Sequence, residues 1–217
     1  FTGLFSLGQA GFMLIGAYTY AIFTLSDVAR KNVFINYGAS IIGVQLPWVL
    51  GLIIAGLCAA VFAYLIALPV LRLKSDYLAI ASLGFAEIIK TLVQSPDFGP
   101  LTNGPDPIAN YTTISSVTTY AVIAGICILL MVLLIKSTYG RALKAIRDEI
   151  AAEAMGINLA KHKRLSFVYS AFFAGVAGAM LAMYSSTVSA VPYTTTMTYE
   201  ILLVVVIGGI GSVTGSV

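Results

Sequence analysis

The chain has 217 residues, of which 59% are hydrophobic and only 10% charged, with a mean hydropathy of +0.96. That composition excludes a soluble globular domain and leaves room for about six spans of ~20 apolar residues joined by loops. The net charge of +3 is small, and the basic residues lie beside apolar runs rather than on a folded basic face, which excludes a nucleic-acid partner.

The chain opens on Phe1 without a Met and stops inside an apolar, Gly-rich run at Val217, so both ends are expected to be trimmed. Gly3–Leu25 is the first predicted span. No basic region precedes it, so it is not a signal peptide. It is rich in small residues (Gly8, Ala10, Gly11, Gly16, Ala17, Ala21), which favour close helix packing where lipid removes any hydrophobic drive between helices. Gln9 is a polar group at membrane depth and reads either as helix-packing glue or as pathway lining. Ser26–Leu46 carries Asp27, Arg30 and Lys31, then a mildly apolar piece from Phe34 to Val44 that reads as re-entrant or interfacial.

Pro47–Leu71 is the second span, with Trp48 near an interface and Pro69 breaking the helix near its end. Cys58 here and Cys127 later sit inside apolar runs without metal-ligand spacing, as small hydrophobes. Arg72, Lys74 and Asp76 form a charged turn before the third span, Tyr77–Gln94. That span contains Glu87 and Lys90, three apart, which can meet on one helix face and ease each other's burial. The alternative is that the span ends near Glu87 and the pair reaches water. Ser95–Val117 holds four of the seven prolines and predicts an irregular, polar outer loop. Thr119–Ile135 is the fourth span.

Tyr139–Arg164 is the one long charged passage between two strongly apolar ones. With Lys136 it holds seven of the twelve basic residues, and Arg72 and Lys74 share its side by parity. The positive-inside rule makes that side cytoplasmic. Leu143, Ile146, Ile150 and Ala154 follow at spacings of three, four and four, within one narrow arc of a short helix. Arg141 and Asp148 fall opposite the arc, Glu149 and Glu153 flank it, and Gly156 supplies a stop. The stretch reads either as a loop that fixes orientation or as a docking surface for a soluble partner.

Leu165–Ala190 is the fifth span, with Ala171, Ala174, Gly175, Gly178 and Ala179 as a close-packing face. His162, inside KHKR before it, reads as a solvated loop residue. Val191–Thr198 is an outer connection and Tyr199 begins a sixth span, with Glu200 at its head. Gly209, Gly211 and Gly215 there mimic a dinucleotide loop. The spacing is one residue too long and no βα alternation surrounds it, so the glycines predict a tight crossing or a local unwinding beside a cavity. The string S-L-G-x-A occurs at Ser6–Ala10 and again at Ser82–Ala86, a short internal echo. No HExxH, CxxC, G-x-S-x-G or phosphate-binding P-loop appears, so ATP hydrolysis, if it drives the protein, belongs to another chain.

The segments LFSLGQAGFMLIGAYT, LRLKSDYLAIASLGFAEIIK, LTNGPDPI, GRALKAIRDEIAAEAMGINLAKHKRLSFVYSAFFAGVAGAM and EILLVVVIGGIGSVTG resemble the LivM-type permease family of branched-chain amino-acid ABC importers. The resemblance runs nearly end to end. It implies an all-α, polytopic membrane bundle forming a single transmembrane domain over residues 1–217. It implies transport, not enzymatic, activity in a bacterial or archaeal cytoplasmic membrane. The partners it implies are a LivH-type second permease, two cytoplasmic ATPases that hold ATP and Mg, and an external or periplasmic binding protein. This chain would hold no cofactor or metal.

Residues 139–164 then correspond to a cytoplasmic loop with a coupling helix. The residues implied to couple to the ATPase are Leu143, Ile146, Arg147, Asp148, Glu149, Ile150, Ala151, Ala152, Ala154 and Gly156. Against the E-A-A-x-x-x-G pattern of ABC importers, Ala151, Ala152 and Gly156 keep the spacing. Ile150 stands where the Glu belongs and Glu149 is one earlier. A zwitterion with a branched apolar side chain needs apolar walls and few polar groups, and Gln9, Glu87 and Glu200 are the candidates for polar lining. Permeases for urea or short-chain amides are the near alternative. A stand-alone channel or secondary transporter is the alternative from another class, and needs midplane ion sites and no cytoplasmic partner surface.

Overall fold

The computed structural model describes residues 6–35, 43–71, 75–114, 116–146, 153, 156 and 158–209. The described residues form nine α-helices: α1 (Gln9–Thr24), α2 (Asp27–Val33), α3 (Trp48–Val70), α4 (Ser75–Gln94), α5 (Gly99–Thr102), α6 (Val117–Lys136), α7 (Thr138–Ala145), α8 (Leu159–Ser185) and α9 (Thr195–Gly208). The expected all-α bundle is therefore the observed one. Among the described residues, four stretches are long and apolar enough to cross a membrane, namely Trp48–Val70, Tyr77–Gln94, Val117–Lys136 and Leu159–Ser185. The first and sixth expected spans appear as α1 and α9, with 16 and 14 residues.

The core is a three-helix contact of α1, α3 and α8. α3 turns one row of small residues inward, Gly51, Ala55, Ala59, Ala63 and Ala67, each four after the last and all buried. α8 answers with Ala171, Gly175, Gly178, Ala179 and Ala182, also buried. Between them α1 is buried on nearly every side. Such rows let backbones approach closely, so that dispersion between many atom pairs replaces the absent hydrophobic drive. A Cβ at Gly16 would land on the carbonyl of Gly175, and one at Gly178 on the carbonyl of Met13. Phe12 and Phe167 close the seam edge to face, 5.5 Å between centroids. α4 packs beside α1, and there the two S-L-G-x-A strings meet. The Leu7 N–H donates to Ser82 Oγ at 2.9 Å, and Gly11 abuts Ala86.

At the end expected to face outward, α2 is a helix that the sequence reading left unassigned. Ser26 caps it by accepting from the Ala29 N–H at 3.3 Å, and Arg30 is buried. Arg30 pairs with Asp27 at 2.8 Å and donates to the carbonyls of Leu25 and Val44. The Pro-rich segment is more ordered than a polar surface loop. Its two-residue strand β1 (Ile108–Ala109) pairs antiparallel with β2 (Thr187–Val188), and Tyr111 bridges to Leu25. Ile108 and Tyr111 are apolar enough to be drawn into the core, where both are buried. Tyr111 Oη donates to the Ala182 carbonyl at 2.6 Å, and Tyr20 Oη to the Thr112 carbonyl at 2.8 Å.

Burial pushes the Tyr111 phenol above its ordinary value, and the neighbouring Tyr193, Tyr20 and Tyr120 act in the same direction. A raised folded pKa means that its stabilising contribution is complete below the ordinary tyrosine value of ~10 and is lost as pH climbs beyond it. Tyr111→Phe is expected to lower stability by about 1 kcal/mol at neutral pH. It should also lose less than the parent above that value. Thermal unfolding in detergent across this range checks both effects.

The fifth span also begins earlier than expected. α8 starts at Leu159, so Lys161, His162, Lys163 and Arg164 lie on its first turns rather than in a loop. Asn158 Oδ1 caps it by accepting from the Lys161 N–H at 3.0 Å, and His162 Nδ1 lies 2.9 Å from the Asn158 carbonyl. α9 starts at Thr195, four residues before the expected Tyr199. It ends at Gly208, where Gly209 takes φ +93. Gly211 and Gly215 lie outside the described residues.

Candidate functional site

The charged passage after α6 begins with a sharp corner. Ser137 is a single extended residue between two helices, with φ −70 and ψ 172. Its hydroxyl donates to the Leu134 carbonyl at 2.6 Å and accepts from the Gly140 N–H at 3.3 Å. Its own N–H reaches back to the Leu133 carbonyl at 3.0 Å. One serine thus closes the end of α6 and opens α7, satisfying groups that both termini would otherwise leave unpaired. Gly140 is buried in the angle, where a Cβ would land on the carbonyls of Ile135 and Leu134. Only glycine fits this bend.

α7 is amphipathic in the expected sense, but its apolar side faces the chain itself. Leu143 is 6% exposed and Ile146, its C-cap, only 1%. The helix contacts α6 and the start of α8. The reading of an exposed apolar stripe is therefore corrected at these two positions, because side chains tucked between helices are closed to a partner. Tyr139, Arg141 and Lys144 occupy the outer face. Further on, Glu153 is exposed and Gly156 takes φ +78, its N–H donating to the Glu153 carbonyl at 2.9 Å. Arg147, Asp148, Glu149, Ile150, Ala151, Ala152 and Ala154 lie outside the described residues.

The three candidates for polar lining do not converge on one point. Gln9 Nε2 donates to Ser170 Oγ at 3.0 Å, tying the start of α1 to α8 in the manner of helix-packing glue. Glu87 does not pair with Lys90. Its Oε1 accepts from Thr195 Oγ1 at 2.8 Å, clamping α4 to the first turn of α9. The pairing with Lys90 that the spacing allowed is therefore not the one seen, and α4 continues past both residues to Gln94. Glu200, one turn further along α9, is exposed.

A hydroxyl bound to a carboxylate contributes roughly 1.5–3 kcal/mol. Glu87→Leu and Thr195→Val are each expected to loosen the α4–α9 contact, and the double variant should be no worse than Glu87→Leu alone. Thermal unfolding of the four proteins measures this coupling.

Among the described residues no three His, Cys, Asp or Glu side chains gather to hold a metal. Sequence reasoning missed Gly140 and the alanine row of α3. The signal for the first was the Ser-x-x-Gly string after a long apolar run. For the second it was a small residue at every fourth position.

A family model described as "Branched-chain amino acid transport system / permease component" matches residues 1–217. The high-affinity branched-chain amino acid transport system permease protein LivM of Escherichia coli (strain K12) is 32% identical over 97% of this chain and 53% of its own length. The protein of that name from Salmonella typhimurium shows the same values. A probable branched-chain amino acid transport permease protein LivM from Methanocaldococcus jannaschii is 24% identical over 94% of this chain and 60% of its own. The chain thus spans about half the length of these first two relatives. No solved structure matches. With a family match from end to end on a mostly helical bundle rich in membrane-length apolar segments, this chain belongs to the permease components of branched-chain amino acid transport systems.

Proposed function

We propose that the chain is a transmembrane subunit of an ATP-driven importer of leucine, isoleucine and valine in a bacterial or archaeal cytoplasmic membrane. The observation that carries this reading is the match to transport permeases along residues 1–217. It pairs with a LivH-type permease, receives substrate from an external binding protein and couples to two cytoplasmic ATPases, which hold ATP and Mg. The stretch 139–164 is the coupling element. ATP closes the ATPase pair, and the Ser137 corner passes that displacement to α6 as a rigid body. The bundle then alternates between outward and inward access.

The buried positions refine the residue roles. Leu143 and Ile146 anchor the element to the bundle, while Arg141, Arg147, Asp148, Glu149 and Glu153 are the groups offered to the ATPase. Gln9, Glu87 and Glu200 remain the polar candidates near the pathway, with Gln9 and Glu87 acting through the helices that they tie.

The test is uptake of labelled leucine by the full-length protein with its operon partners, in cells lacking their own system. Uptake should require ATP and be competed by isoleucine and valine. Competition by urea or acetamide instead would transfer the chain to the amide-transport reading. Uptake driven by a proton gradient without ATP would overturn the coupling altogether.

A further inference from the structure

A cavity of about 1070 Å³ lies between α3, α6 and α8, at the end of the bundle that carries α7. None of the residues of α6 is buried, and its main contact is with α7, so the helix stands off from the core and leaves this groove beside it. The walls are Leu57, Leu130, Val168 and Phe172, all apolar. The lip is basic. Lys161 and Arg164 line one end, and the Arg164 guanidinium sits 5.6 Å over the Tyr64 ring. Among the described residues neither cation meets a carboxylate.

The dimensions select among possible occupants. Lys161 and Phe172 are eleven residues apart on α8, which is roughly 17 Å along the axis. That is close to one leaflet, half of a ~30 Å hydrocarbon core. A partner helix would need an apolar wall through both leaflets, whereas this groove is charged at its mouth and apolar for one leaflet's depth. Water at that depth would leave apolar walls wet for no gain.

We propose that the groove binds an anionic phospholipid of the inner leaflet, its phosphate on Lys161 and Arg164 and one acyl chain along Leu130, Val168 and Phe172. Arg164 serves this role well. A guanidinium 5.6 Å over a tyrosine face is attracted to the ring by its charge, while its N–H donors can still take a phosphate. Basic groups between spans on the cytoplasmic side are where acidic headgroups are recognised, at about a factor of five in affinity per cation near the surface.

The experiment uses the full-length protein, purified with the subunits that accompany it and reconstituted in phosphatidylcholine vesicles. Trp48→Phe removes the one tryptophan of these 217 residues and Leu130→Trp places a reporter on the groove wall, with quenching in the same assembly lacking Leu130→Trp subtracted as background. Phosphatidylglycerol with brominated acyl chains is titrated in, and phosphatidylcholine carrying the same chains is the control. Saturable quenching is expected with a preference for the anionic lipid on the order of thirty-fold, the product of two cations. Adding Lys161→Gln and Arg164→Gln should remove that preference while leaving neutral-lipid quenching unchanged. Equal quenching by the two lipids, or a preference that survives the double Gln variant, would overturn the site. Absence of quenching by either lipid would show that another subunit or a second copy fills the groove, and would equally overturn it.

Discussion

Gly178→Val is expected to abolish folded protein, with Gly16→Val close behind it. At both positions the obstacle to a side chain is backbone, the carbonyls of Met13 and Gly175, which cannot swing away as a flexible side chain does. α1 and α8 would have to separate along the seam that builds the core, taking α3 with them through Gly175, Gly56 and Ala59. Overpacking typically costs about 1–3 kcal/mol, and a backbone clash at the principal helix crossing belongs at or beyond the upper end, ~4 kcal/mol. The yield of monodisperse protein and its unfolding temperature measure the effect. Gly125→Val, on the unburied α6 with open space around it, is the matched control and should leave both unchanged. Equal behaviour of Gly178→Val and Gly125→Val would mean that the seam is not where the stability resides.

How far the sequence disclosed this arrangement depends on the range of each interaction. The three middle spans were legible within a residue or two because prolines, charges and Ser116 punctuate their ends. The start of α8 was not, because KHKR reads as loop on charge alone. Long cationic side chains can ride on a helix that projects past the apolar zone, which charge counting does not register. The partner of Glu87 lay 108 residues away at Thr195, while spacing along one helix pointed only to Lys90. The pairing of β1 with β2 involves two residues each, too few to carry an alternation pattern.

The apolar arc through Leu143 and Ile146 was read correctly as an arc. Periodicity states that a face is apolar, not whether its own bundle or a stranger covers it. The helix ends that parity places on one side do lie together, joined by contacts such as Tyr111 to Ala182 and Thr112 to Thr24.

The second large effect is expected at the corner. Gly140→Val should separate ATP hydrolysis from transport while leaving the bundle inserted. The valine would press on the carbonyls at the end of α6, so α7 must tilt away from its seat. A tilt displaces every residue beyond it by an amount that grows with distance, and positioning errors of ~1 Å suffice to disrupt a docked contact. Ile146→Asp should act alike by a different route. An unpaired carboxylate does not stay buried where a 1% exposed isoleucine sits, and expelling it unseats α7 at a cost of about 3 kcal/mol or more. Ile146→Leu conserves volume and should behave as the parent. In proteoliposomes the first two variants are expected to show basal ATPase activity without stimulation by loaded binding protein. Leucine uptake should fall at least ten-fold, the effect of ~1.4 kcal/mol of lost coupling.

Both effects presuppose that the passage after α6 lies in the cytoplasm and touches the ATPase. Cysteines at Arg141 and Glu153, two exposed positions on either side of residues 147–152, test this in a background where Cys58 and Cys127 are serine. With the assembled transporter in right-side-out vesicles, both should resist a membrane-impermeant maleimide. In inverted vesicles both should react with it and cross-link to an ATPase subunit, with a yield that changes on adding ATP. Labelling from the outer side, or free reaction in inverted vesicles with no cross-link in any nucleotide state, would contradict the account at its root.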